Sequence, residues 1–153
     1  MAKTKLLFLL TLVISFVGCK DTAQVRSAIG TYSYKSSGTL TMDTLSPVRF
    51  TEQGAMEVVS LKNKDSVLIT FNELFGEVYA TRASIKGKEI TFTPFERIIF
   101  SSILTGPVTV QVRGEGQVLN DCITLNLEYH NRPSDSLSLS ATDVLLIAKK
   151  NTK

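Results

Sequence analysis

Val108-Thr109-Val110-Gln111-Val112-Arg113, followed shortly by Ile123-Thr124-Leu125-Asn126-Leu127-Glu128-Tyr129-His130, decides how the chain folds. Apolar and polar residues alternate with period two in both stretches, the pattern of strands that bury one face and wet the other. Gly114-Glu115-Gly116 lies between them and tolerates positive φ, so the pair reads as an antiparallel hairpin turning at those glycines. The same grammar recurs at 79–85, Lys86-Gly87-Lys88 and 89–92. Further strands are expected at 31–34, 38–42, 48–51, 56–61, 66–71, 137–139 and 144–148.

Val144-Leu145-Leu146-Ile147 shows no alternation and suits a helix equally well on local grounds, but a closing strand completes the core. Some eight to ten short, evenly spaced strands predict a mainly β domain over 29–150, an antiparallel barrel or sandwich. One segment departs from this pattern. Thr93-Pro94-Phe95-Glu96 places a capping hydroxyl, a proline at the first helical position and a glutamate at the third, and Gly106-Pro107 supplies a stop. Phe95, Ile98, Ile99 and Leu104 fit a helical stripe, which predicts a short helix over 94–104 across one end of the strands.

The chain has 153 residues, 43% of them hydrophobic and 20% charged, which suits one domain. Its N-terminus has a separate composition. Lys3 and Lys5 precede an apolar run over 6–17, and Gly18-Cys19 forms a small-residue junction, the three-part plan of an export signal. As a helix the run would be about 18 Å long, short of the ~30 Å hydrocarbon core. Residues 1–18 are therefore expected to be removed and 19–28, polar in composition, to act as a tether. Without Lys3 and Lys5 there remain 15 basic residues against 14 acidic ones. Charges of both signs are interspersed, so nucleic acid is not an expected partner.

Phe16-Val17-Gly18-Cys19 resembles a bacterial lipobox. The resemblance implies that the Cys19 thiol receives a diacylglyceryl group, that the bond after Gly18 is cut, and that the new amine is acylated. Membrane lipid attached through Cys19 is then one partner, and the address is the bacterial cell envelope. Two or three acyl chains hold a protein at a bilayer where one does not. On this reading Cys122 stays a free thiol. An unlipidated protein with an incidental cysteine, able to form a Cys19–Cys122 disulfide, is the alternative.

Gly30-Thr31-Tyr32, then Gly38-Thr39-Leu40, with a last strand ending in Lys149-Lys150, is similar to the layout of lipocalin-like and calycin-like domains, including small Bacteroidota lipoproteins. That resemblance implies a barrel over about 30–150. Tyr32 stands where those folds place a tryptophan, and Lys149 or Lys150 where a basic residue covers it.

Catalytic readings are weak. His130 is the sole histidine, and Cys122, eight residues away, would lie roughly 26 Å off along a straight strand. Ser134 and Asp135 sit in Asn131-Arg132-Pro133-Ser134-Asp135, which reads as a turn. Gly114-Glu115-Gly116 lacks the third glycine and the following helix of a dinucleotide fingerprint. Glu73 and Glu77 are a carboxylate pair of the kind glycoside hydrolysis needs, but a chain without tryptophan lacks the usual flat platform for a sugar, and solvated loop charge is the ordinary reading. No metal site and no cofactor are expected from one histidine and two cysteines. Most aromatics fall on apolar strand faces and belong to the core. Phe75 differs, since Leu74 and Phe75 occupy a loop; with Phe95 and Ile99 of the expected helix they are the residues predicted to line the mouth of a barrel for a small apolar ligand. The expected function is a non-catalytic binding module for such a ligand or for an envelope protein. An envelope hydrolase or an accessory subunit of an envelope complex is the alternative.

Overall fold

A computed structural model describes residues 19–43, 45–63, 65–73, 78–99, 106–131 and 139–152. In chain order the elements are α1 (Cys19–Ala28), β1 (Gly30–Met42), β2 (Leu45–Ser60), β3 (Ser66–Glu73), β4 (Val78–Lys86), β5 (Glu89–Phe92), β6 (Phe95–Ile99), β7 (Val108–Leu119), β8 (Cys122–Asn131) and β9 (Leu139–Lys150). Every strand pairing is antiparallel, and strands consecutive in sequence pair with each other except β5 and β6. The ring closes because β9 pairs with β1 and β5 pairs with β7. β5 and β6 lie along successive parts of β7, residues 89–91 against 115–117 and 95–99 against 108–112, and so share one position in the wall. The result is a closed, eight-position, up-and-down barrel, an arrangement that leaves no long free edge.

Alternation sets the wall. Tyr32 and Tyr34, Met56 and Val58, Val67, Ile69 and Phe71, Ile123, Leu125 and Leu127 all point inward and are buried. A fully buried Leu, Ile, Val or Phe contributes roughly 1.5–3 kcal/mol relative to exposure. β9 hides this rule in the sequence because its outward positions are apolar too. Val144, Leu146 and Ala148 are buried, whereas Leu145 and Ile147 face outward at 40% and 41% exposure.

Three sequence expectations change. The segment predicted as a helix over 94–104 is strand β6 as far as Ile99, with residues 100–104 outside the described set. Phe95, Arg97 and Ile99 take the inward phase of a strand while Glu96 and Ile98 face out, and pairing with β7 satisfies a backbone that a lone helix would have to satisfy itself. Thr93-Pro94 is a break between β5 and β6 rather than a cap: Thr93 N donates to Arg82 O at 2.7 Å, and Thr81 Oγ1 donates to Thr93 O at 2.7 Å. The β7–β8 hairpin exists, but it turns at Asn120-Asp121, with Asn120 at φ 51°. Gly116 instead lies inside the ladder, where an added Cβ would fall on the Thr124 carbonyl oxygen. The glycine is required by close approach of β8, not by a turn. The Gly87 hairpin turns where expected, at φ 62°.

Residues 19–28, expected as a tether, form α1. Val25 and Ala28, three apart on one helical face, are buried against the barrel and give the helix its docking stripe. The one short helix of the described residues is therefore at the start of the domain. None of the described helices is long and apolar enough to cross a membrane.

Candidate functional site

The up-and-down course of the strands gives the barrel two unlike ends. The turns at Gly87-Lys88 and Asn120-Asp121 and the end of β2 share one end with α1 and the end of β9; the last residues of β1, β3, β6 and β8 share the other. The first end is sealed. Tyr32 Oη donates to Ala28 O at 2.8 Å, Lys150 Nζ donates to Ser27 O at 2.8 Å, and the ammonium stands 5.9 Å from the centre of the Tyr32 ring. These bonds satisfy the open carbonyls at the C-terminus of α1 and place a cation there, both favourable. Gly30 has φ 147°, and a Cβ on it would meet Lys150 Cε at 2.7 Å. The Gly30-x-Tyr32 triplet and Lys150 thus form one structural unit, with Lys150 rather than Lys149 over the ring.

The opposite end is where chemistry gathers. Inward phases of β2, β3, β4, β6 and β8 bring Glu52, Glu73, Tyr79, Arg97 and Tyr129 together. Arg97 Nη1 donates to Glu52 Oε2 at 3.1 Å and to Tyr129 Oη at 2.9 Å; Nη2 donates to Glu52 Oε1 at 2.9 Å and to Glu73 Oε1 at 2.6 Å. Ser36 Oγ adds a bond to Glu52 Oε2 at 3.3 Å. The Arg97 side chain is only 3% exposed, against 26% for Glu52 and 16% for Glu73. Its guanidinium lies 5.1 Å from the Tyr79 ring centre and 5.4 Å from that of Tyr129, a sandwich between aromatic faces. Its Nε, and both polar atoms of the Asn131 side chain, are buried without a hydrogen-bond partner.

Electrostatics follow burial. Burial opposes the charge on Arg97, but the Tyr129 and Tyr79 oxygens and the Glu52 carboxylate outweigh it and hold the guanidinium above its ordinary range. Burial raises the Tyr79 and Tyr129 phenols beyond the usual tyrosine range, with Arg97 pulling the other way. Tyr34, close by, is pushed up to about 12 by burial and then by the Glu73 charge. These phenols are hydrogen-bonding groups, not bases, at neutral pH. Both carboxylates accept from Arg97, so oxygens of each are already engaged. That arrangement stabilises charge and positions hydrogen bonds; Glu73, read from the sequence as solvated loop charge, instead ends β3 and accepts from Arg97, and Glu77 lies outside the described residues.

Around the cluster lies an aromatic wall. Phe71 and Tyr79 stack at 4.9 Å, Tyr79 and Phe95 at 5.4 Å, and Phe50 and Tyr129 at 6.1 Å. Phe50, Tyr79, Phe95, Ile99 and Val108 are half-buried, all toward this end, and pack against the buried core. Of the residues predicted for a ligand, Phe95 and Ile99 take their place on this wall from a strand, and Leu74 and Phe75 lie outside the described residues.

Sequence reasoning missed Glu52, Arg97 and Tyr129 as partners. The available signal was parity: Glu52 shares the inward phase of Met56 and Val58, so a charge was due inside, and a buried charge needs a counter-charge. His130 follows Tyr129 on β8 but takes the outward phase, beside Glu128 at 3.4 Å. Cys122 is a half-buried thiol at the sealed end, 4.0 Å from the Thr124 hydroxyl. Among the described residues no group of three or more His, Cys, Asp or Glu side chains converges for a metal. The described surface depressions, of about 520 and 290 Å³, lie on the outer face over β5, β7 and β8 and do not communicate with the Arg97 cluster through any shared residue.

No protein-family model matches the chain, and no curated protein matches it. Among solved structures it is similar to a redesigned β-barrel, at 11% identity and a TM-score of 0.45, over 84% of this chain and 96% of that one. The closed antiparallel barrel is established by the strand pairings themselves.

Proposed function

We propose that the chain is an envelope lipoprotein, anchored through acylated Cys19, whose barrel is a non-catalytic binding module for a small amphiphile. The observation that carries the reading is the asymmetry of the barrel interior. One end is closed by α1, Tyr32 and Lys150; at the other, half-buried Phe50 and Ile99 lie on the mouth side of Glu52 and Arg97 along their strands, over a polar floor of Arg97, Tyr129 and Asn131 that Phe95 lines from one inward position deeper. An apolar body fits the wall, and a hydrogen-bonding head fits the floor, where Arg97 Nε and the Asn131 amide retain bonding capacity. Convergent polar groups at the base of an apolar pocket are how small-ligand sites achieve orientation.

Nile red, a neutral apolar fluorophore, tests the site. Saturable, blue-shifted fluorescence is expected, weakened at least fivefold by Phe95→Ala and by Phe50→Ala and unchanged by Ile147→Thr on the outer face. Fluorescence that never saturates, or that responds equally to all three substitutions, would refute the pocket.

A further inference from the structure

The sealed end carries an uneven charge. Over α1, the turns and the last two residues of each strand at that end, the described cations are Lys20, Arg26, Lys62, Lys86, Lys88, Lys149 and Lys150. Asp21, Asp65, Glu89 and Asp121 are the described anions there. By the same definition the opposite rim has Asp43 and Glu73 and, among the described residues, neither Lys nor Arg. Backbone bonds tie the basic turns into one surface: Ile85 N donates to Asp65 O at 2.8 Å, Val118 N to Lys88 O at 2.8 Å, and Lys150 N to Asp121 O at 2.7 Å. Lys62, Lys86, Lys88 and Lys149 are exposed.

We infer that this basic rim docks on anionic lipid headgroups, so that the sealed end faces the bilayer and the Arg97 end faces away. Two features point to a membrane rather than another polyanion. Cys19 begins α1, and α1 is fixed to the same rim through Val25, Ala28 and the Ser27 and Ala28 carbonyls. Nine residues of helix span about 14 Å, so an anchor at Cys19 holds the rim within about two Debye lengths of the headgroups at physiological salt. Basic side chains at that distance are attracted to an anionic leaflet. A flexible tether would leave orientation free; a docked helix with cations beside it sets it. The orientation rests on the anchoring reading, whereas the attraction of the rim for anionic lipid does not.

The test reads orientation directly. The full chain, isolated from membranes, with Cys122→Ser and a spin label at Asn63→Cys or at Asp43→Cys, is reconstituted in vesicles whose headgroups include a nickel-chelating lipid. In equal mixtures of phosphatidylglycerol and phosphatidylcholine at 0.15 M salt, the label at position 63 should be relaxed by nickel at least threefold more than the label at position 43. Lys62→Glu/Lys86→Glu/Lys88→Glu should abolish that difference, as should 1 M salt. Equal relaxation of both labels on anionic vesicles, the same difference on pure phosphatidylcholine, or no effect of the triple reversal would overturn the inference. Failure of anchoring is read separately, as release of the protein from the vesicles on washing in 1 M salt.

Discussion

Replacing Arg97 with methionine is the sharpest single perturbation of the interior. The substitution keeps an unbranched side chain of similar length in the wall but removes a guanidinium that makes four hydrogen bonds, between 2.6 and 3.1 Å, to Glu52, Glu73 and Tyr129. Two carboxylates then lose the cation they share, and the Tyr129 hydroxyl, on a side chain that is 1% exposed, loses its donor. Removing one partner of a buried ion pair costs about 3–5 kcal/mol. Because Glu52 retains partial access to water, about 3 kcal/mol is expected here, a large share of the roughly 5–15 kcal/mol that holds a typical domain. Urea unfolding followed by far-ultraviolet circular dichroism measures the loss as a lower midpoint at unchanged slope. Glu52→Gln/Glu73→Gln/Arg97→Met should recover to within about 1–2 kcal/mol of wild type, because no charge is then left uncompensated. A single Arg97→Met variant within about 1 kcal/mol of wild type would refute the reasoning, since it would mean that the cluster is solvated rather than buried.

Other consequences follow from the same contacts. Gly116→Ala drives a methyl group into the Thr124 carbonyl and should cost about 3 kcal/mol or more, or prevent folding, while Gly87→Ala, with open space around it, should cost about 1 kcal/mol; thermal unfolding separates the two. Lys150→Met removes the bond to Ser27 O and should increase amide hydrogen exchange in 25–29 selectively, with a stability loss of about 1 kcal/mol. Burial, then the nearby Asp121 charge, pushes Tyr32 up to about 12, and Tyr34 is likewise raised to about 12. The folded state therefore binds more protons than the unfolded state between pH 10 and 12, so their contribution is complete below pH 10 and lost as pH rises through 12. Stability measured across that window should fall, and the fall should be shallower in Tyr34→Phe.

Period-two alternation made most of the wall legible because burial of one strand face leaves a direct imprint on sequence. Places where it misled share a cause. Glycines in Gly114-Glu115-Gly116 carry two meanings, turn and close approach, and only the opposing strand distinguishes them. Thr93-Pro94-Phe95-Glu96 is locally a good helix start, yet pairing with β7 and the inward demands of Phe95, Arg97 and Ile99 override it. α1 was hidden because two small contacts, Val25 and Ala28, suffice to dock ten residues whose composition is otherwise polar. At the site, Phe95 and Ile99 were legible as apolar side chains facing one phase of a single element, although that element is strand β6 and not a helix. The Arg97 cluster was not, because its partners come from strands far apart in sequence, 45 residues between Arg97 and Glu52, and charge on an inward phase reads as a surface residue until the register is known.

Intact mass of the protein in the membrane fraction, with and without Cys19→Ser, tests the anchored-barrel account most directly. The wild-type mass should equal residues 19–153 plus a diacylglyceryl group and an acyl chain, and both the added mass and the membrane association should vanish in the variant. A wild-type chain that begins at any other residue, or that carries no lipid and stays in the soluble fraction, would contradict it.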